Sequence, residues 1–223
     1  EQAYNYELAE NAEKTHEYTI GNAEIIISDV AGYKGTYDGN EHDVRVAGDA
    51  QTQGGMTATW KYSLNGTDGW SQTLTLKDAC ESTTVHYRVT ADNHETKRGT
   101  FTVTIAKRDI SIAFDAVITY GDALPAVGSE LYTERVTGDD YVLGESFDYL
   151  GITIEEITAE GYTAGSPVQD YVLRWRYSGT SGNYNVTAAE GTLTVIPLAL
   201  TIYIKSLTSK YITIDESAVQ NSG

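Results

Sequence analysis

Apolar and polar residues alternate with a period of two along four stretches of this chain. From Met56 to Tyr62 the even positions Met56, Ala58, Trp60 and Tyr62 are apolar or aromatic, and Thr57, Thr59 and Lys61 between them are polar. Val85, Tyr87, Val89 and Ala91 share one face, with His86, Arg88 and Thr90 on the other. Phe101, Val103 and Ile105 alternate with threonines, and Tyr171, Leu173, Trp175 and Tyr177 oppose Val172, Arg174, Arg176 and Ser178. Successive strand side chains point to opposite faces of a sheet, so each stretch predicts a half-buried antiparallel strand. Trp60 and Trp175 lie on the apolar faces and are expected in the core. Turn signals punctuate the strands at Asp38-Gly39-Asn40, Asn65-Gly66-Thr67-Asp68-Gly69, Gly138-Asp139-Asp140 and Ser181-Gly182-Asn183. Nothing longer than a turn or two reads as helix, and the best helical stretch lies near Tyr141–Tyr149.

The strand pattern itself repeats. Asn93-His94 leads through Gly99-Thr100-Phe101-Thr102-Val103-Thr104-Ile105 to the junction Ala106-Lys107; ninety positions on, Asn183-Tyr184 leads through Gly191-Thr192-Leu193-Thr194-Val195 to Ile196-Pro197. A degraded copy, Asn5-Tyr6 followed by Glu17-Tyr18-Thr19-Ile20, opens the chain. Tyr37-Asp38-Gly39 and Tyr120-Gly121-Asp122 mark corresponding places early in each copy, and Lys210-Tyr211 marks a third. Self-similarity at a fixed period signals an array of units. The expected organisation is the end of a preceding repeat at 1–22, one β module at 23–107, a second at 108–197, and the start of a truncated repeat at 198–223. The junctions are short and lack the Gly/Ser composition of a flexible tether, so semi-rigid stacking is expected. The terminal half-units leave strand edges unpaired, and 198–205, with Leu198, Leu200, Ile202 and Ile204, is expected to extend a neighbouring sheet or pair between molecules. With six or seven short strands per module, the fold class is all-β, two tandem immunoglobulin-like β-sandwich modules. A β-grasp-like module with one short helix is the alternative.

Composition narrows the partners. The 223 residues hold 17 Tyr and 21 Gly, a mixture suited to twisted strands and tight turns. A formal net charge of −17 repels phosphate backbones and argues against nucleic acid. No apolar run approaches the length of a membrane span, so no membrane insertion is expected in this segment. The single cysteine, Cys80, reads as a small residue in a turn before a strand.

Tyr37-Asp38-Gly39-Asn40-Glu41-His42, Trp60-Lys61-Tyr62-Ser63 and Val85-His86-Tyr87-Arg88-Val89-Thr90-Ala91-Asp92-Asn93 together resemble the Tyr-Asp-Gly type repeat of bacterial surface proteins. Thr119-Tyr120-Gly121-Asp122-Ala123-Leu124-Pro125, Gly182-Asn183-Tyr184-Asn185-Val186 and Gly191–Val195 resemble the MBG repeat. Cys80 and His94 depart from those patterns, where the relatives more often carry Gly and Tyr. The resemblance implies a tandem-repeat segment of a cell-surface adhesin, extracellular, anchored to the cell wall through segments outside this one, and acting as a stalk that projects a binding head. Its partners would be the adjoining repeats of the same polypeptide. The alternative is direct attachment to host glycan, mucin or matrix protein. The resemblance carries over no catalytic residue and no cofactor.

Candidate chemistry is sparse. His16, His42, His86 and His94 show no close His-x-His pairing, and Cys80 stands apart from any metal-ligand spacing. The Asp38–His42 element reads as turn chemistry: Asp38 caps, Gly39 supplies positive φ, and Glu41 and His42 begin a strand. Neither Asp139-Asp140 nor Asn65–Gly69 offers the oxygen count that calcium needs. No Gly-x-Ser-x-Gly is present, and Glu155-Glu156 are strand neighbours expected on opposite faces. Lys61 and Lys107 are the lysines suited to an intramolecular isopeptide cross-link. Trp70, Trp60 and Trp175 are the candidate ligand-binding residues, as a sugar-stacking platform.

Overall fold

A computed structural model describes residues 17–203. The expectations for 1–16 and for 204–223, including the Lys210-Tyr211 marker, lie outside the described residues. The strands are β1 (Ile26–Gly32), β2 (Lys34–Thr36), β3 (His42–Asp43), β4 (Arg45–Gln51), β5 (Thr59–Ser63), β6 (Thr75–Leu76), β7 (Cys80–Thr90) and β8 (Lys97–Ala106), then β9 (Arg108–Thr119), β10 (Tyr132–Thr137), β11 (Ile152–Ala159), β12 (Asp170–Gly179), β13 (Tyr184–Ala188) and β14 (Gly191–Ile196). The N-terminal unit contains a β2-β8-β7-β5 sheet and the pairs β1-β4 and β3-β6; the C-terminal unit is one sheet, β10-β9-β14-β12-β11, with β13 also on β9.

The fold is all-β. In the C-terminal unit, Ile110, Ile112, Phe114, Ala116 and Ile118 of β9 all point inward, as an alternating strand requires. Tyr171, Leu173 and Trp175 of β12 are buried with them. Trp175 donates its indole N–H to the Ile112 carbonyl at 2.9 Å, and its ring meets Phe114 edge-on at 5.2 Å between centroids. In the N-terminal unit the inward row is Val85 and Val89 of β7 with Phe101, Val103 and Ile105 of β8. Both rows, Val89 excepted, belong to one continuous hydrophobic cluster.

The two units share one wiring. Ala23 donates to Asn93 O at 2.8 Å, and Arg108 donates to Asn183 O at 2.9 Å. Tyr37 N reaches Ala106 O at 2.8 Å, and Tyr120 N reaches Ile196 O at 2.8 Å. The residues that recur in the sequence therefore make the same backbone bonds twice. In each unit the end of the opening strand runs parallel to the end of the closing strand, β2 along β8 and β9 along β14. These parallel pairs, with β13 along β9, differ from a purely antiparallel expectation. Period-two alternation reports which face a residue occupies and is blind to the direction of the neighbouring strand.

Three further expectations are corrected. The helical stretch near Tyr141–Tyr149 is one 3-10 turn at Phe147–Leu150, which drops Leu150 into the core. Leu198, Leu200 and Ile202 are exposed and extend no sheet among the described residues, because β14 ends at Ile196 and Pro197 supplies no N–H to continue its ladder. Trp60 is half-buried, because β5 is the edge strand of its sheet.

Candidate functional site

The junction between the units uses positions of the repeated wiring, Tyr37 and Asn183 among them. Tyr37, at the end of the first opening strand, and Tyr184, at the start of β13, are 1% and 3% exposed. Their rings meet edge-on at 5.6 Å, and both hydroxyls donate to one carboxylate, Tyr37 to Oε1 and Tyr184 to Oε2 of Glu145. The Tyr184 hydroxyl also accepts from Val142 N at 3.0 Å. Burial, then the bond to Glu145, pushes the Tyr184 phenol up to about 12, and the same causes raise Tyr37 further. Asn183 adds a second bridge, accepting from Ala79 N at 2.8 Å and donating to Asp78 Oδ1 at 3.1 Å. Lys107 donates to Ser181 O at 2.7 Å.

The Asp38–His42 element adjoins this junction and behaves as a turn. Asp38 accepts from Asn40 N at 3.0 Å and contacts His42 Nε2 at 2.9 Å, while Gly39 has φ 76°. The Asn40 backbone bond, then His42, holds the Asp38 carboxyl down at about 2. Thr75 donates to Glu41 at 3.0 Å, and the Tyr33 ring stacks on His42 at 4.0 Å. Carboxylate, amide and imidazole do converge, and each is engaged in holding the turn.

The three tryptophans do not form one platform. Trp175 is 5% exposed and enclosed by Phe114, Phe147 and Tyr177, so it has no free ring face. Trp60 lies at the edge of the N-terminal core, beside Tyr87 and Tyr62, with the Arg45 guanidinium 4.4 Å over its ring. Trp70 sits apart, on the outer face of β7 and β8, where the Arg88 and Arg98 guanidinium carbons lie 4.6 and 5.7 Å from its ring. The loop that presents it is held by its own side chains. Ser63 Oγ donates to Asp68 O at 2.6 Å, Asn65 accepts from the Thr67 and Asp68 amides, and Trp70 donates to Thr67 O at 3.2 Å.

The remaining candidates separate. His94 is buried between Asp92 O at 2.7 Å and Gln53 N at 3.0 Å, His86 lies on the outer face of β7, and no three His, Cys, Asp or Glu side chains converge among the described residues. Cys80 opens β7 and is half-buried, its sulfur 4.0 Å from Val103 O. Lys107 donates to a carbonyl, and Lys61 stands opposite Arg88 in strand register. A bulge between Ile154 and Glu156 leaves both Glu155 and Glu156 exposed rather than on opposite faces. Glu145, Arg88 and Arg98 escaped sequence reasoning. Only strand register and the path of the 138–151 loop bring them to their partners.

No model of a known protein family matches the chain, and a search of curated proteins finds no match either. Among solved structures it is similar to the N-terminal four Ig domains of Dscam1 isoform 9.44, with 13% identity and a TM-score of 0.33 over 80% of this chain and 47% of that one. It is also similar to Drosophila N-cadherin EC1-4, with 12% identity and a TM-score of 0.26 over 79% of this chain and 51% of that one. A third similarity is to three N-terminal domains of the outer capsid protein Hoc of bacteriophage RB49, with 11% identity and a TM-score of 0.28 over 79% and 71%. The chain spans about half the length of the first two. No helix among the described residues is long and apolar enough to cross a membrane.

Proposed function

We propose that this chain is a non-catalytic tandem-repeat segment of a bacterial surface adhesin, with modules at 23–107 and 108–197 acting as a stiff spacer that projects a binding head. The observation that carries this reading is the junction. A flexible tether leaves its flanking units free, whereas here two buried tyrosines from different units share one carboxylate. Its partners are the adjoining repeats, and its setting is extracellular, anchored to the cell wall through segments outside this one. The resemblance to Tyr-Asp-Gly and MBG repeats supports the setting, and the shared wiring of the two units supports the repeat reading.

The test is a distance distribution between spin labels placed on exposed Thr102 of β8 and exposed Thr153 of β11. One narrow distribution is expected, broadened in Glu145→Ala. A broad distribution in the parent chain removes the spacer reading.

A further inference from the structure

The structure assigns an anion-binding site to the outer face of the N-terminal sheet, and we infer that its ligand is a sulfated polysaccharide. In strand register, Lys61 of β5 stands opposite Arg88 of β7, and Arg88 stands opposite Arg98 of β8. Three cations therefore form one row across three strands, about 4.8 Å from strand to strand. Like charges directly opposite in a sheet repel and destabilise it. Such a row persists without penalty where carboxylates interleave, and none pairs with these three residues among the described residues. The chain carries 32 acidic residues and a net charge of −17, so acids are plentiful, yet none of the described ones lies within ion-pair distance of these three cations.

Trp70 explains how the row is held. Its ring lies against Arg88 and Arg98, fixing both guanidinium groups by cation–π contact while their N–H forks meet no acceptor among the described residues. Trp70 is therefore a positioning residue rather than a bare stacking surface. A planar fork with parallel N–H donors suits the oxygens of sulfate, an anion that stays ionised at every physiological pH. Exposed Thr84, Thr100 and Thr102 lie on the same face beside the row, offering hydroxyls to sugar hydroxyls. The cations occupy a sheet face, whereas an acidic peptide adding as a strand would take the β5 edge. A row of three cations on an open face matches an extended polymer with repeated charges. The site stands whether or not the two units act as a spacer.

The experiment measures binding of the whole chain to immobilised dextran sulfate, with dextran, carboxymethyl dextran and polyglutamate as parallel surfaces. Saturable, salt-sensitive binding to dextran sulfate is expected, weaker by about tenfold in Arg88→Gln and in Arg98→Gln. Arg174→Gln, which removes a cation paired with Glu160 and Glu190 on the other unit, leaves binding unchanged. Arg98 is exposed, so Arg98→Gln keeps the test valid if Arg88→Gln lowers the melting temperature. Absent binding, or equal binding by parent and Arg98→Gln, overturns the site. Carboxymethyl dextran or polyglutamate bound as tightly as dextran sulfate overturns the sulfate assignment.

Discussion

Trp60 and Trp175 have the same sequence signature, a large aromatic on the apolar face of an alternating strand, and the two units treat them differently. Trp175 stands on β12, which has β11 on one side and β14 on the other, and it is enclosed by aromatics from three elements. Trp60 stands on β5, the last strand of its sheet, and Arg45 covers what β7 and Tyr62 leave open. Alternation selects the face; the number of flanking strands sets the depth.

The comparison predicts its own largest effect. Trp175→Ala is expected to destabilise the C-terminal unit by about 3–5 kcal/mol, since it removes a buried indole and its bond to Ile112. Trp60→Ala is expected to cost about 1–2 kcal/mol, reflecting roughly half the burial. Denaturant melts of both variants check the ratio, and equal losses would erase the edge-strand argument.

Two glycines extend the contrast. Gly99 and Gly191 hold the same place in the repeat, yet a Cβ at Gly99 would meet the Tyr87 side chain, whereas one at Gly191 would strike the Phe114 carbonyl of β9. A side chain can move aside and a hydrogen-bonded backbone cannot. Gly191→Ala is expected to cost about 2–3 kcal/mol and Gly99→Ala about 1 kcal/mol, read from thermal melts.

Smaller effects belong to the junction. Glu145→Gln weakens two tyrosine bonds at once and is expected to cost about 1–2 kcal/mol. Tyr184, with an ordinary value of 10.0, is raised to about 12 in the folded chain. Its contribution is therefore complete below pH 10 and is lost as pH rises toward 12. Stability measured across that window is expected to fall more steeply in the parent than in Tyr184→Phe. Smallest of all, Arg176→Gln breaks the exposed pair with Glu156 and is expected to change stability by less than about 1 kcal/mol.

The strands around Trp60, Val85, Phe101 and Trp175 were legible because period-two alternation is a local property. The residues that recur in the sequence make corresponding bonds, with Asn93 accepting from Ala23 and Asn183 from Arg108, and with Tyr37 donating to Ala106 O and Tyr120 to Ile196 O. What stayed hidden depends on register or on a loop path. Nothing in Lys61, Arg88 and Arg98 as sequence neighbours announces a row, because they sit on three strands joined by turns of different length. Glu145 was hidden for the same reason, since it reaches Tyr37 across 108 positions. The parallel pairs could not be read from side-chain pattern, which is the same for either strand direction.

Those parallel pairs decide how the chain would respond to tension. In the C-terminal unit the polypeptide enters at Arg108 on β9 and leaves at Ile196 on β14, and the two strands run in the same direction, paired from Leu193–Ala116 to Ile196–Thr119. Pulling on the two ends slides one strand along the other, so the bonds bear the load together instead of opening in succession. The β2–β8 pair closes the N-terminal unit in the same sense. Resistance to pulling is governed by the rate of unfolding rather than by equilibrium stability, so a unit of ordinary thermodynamic stability wired this way can act as a strong link in a loaded tether.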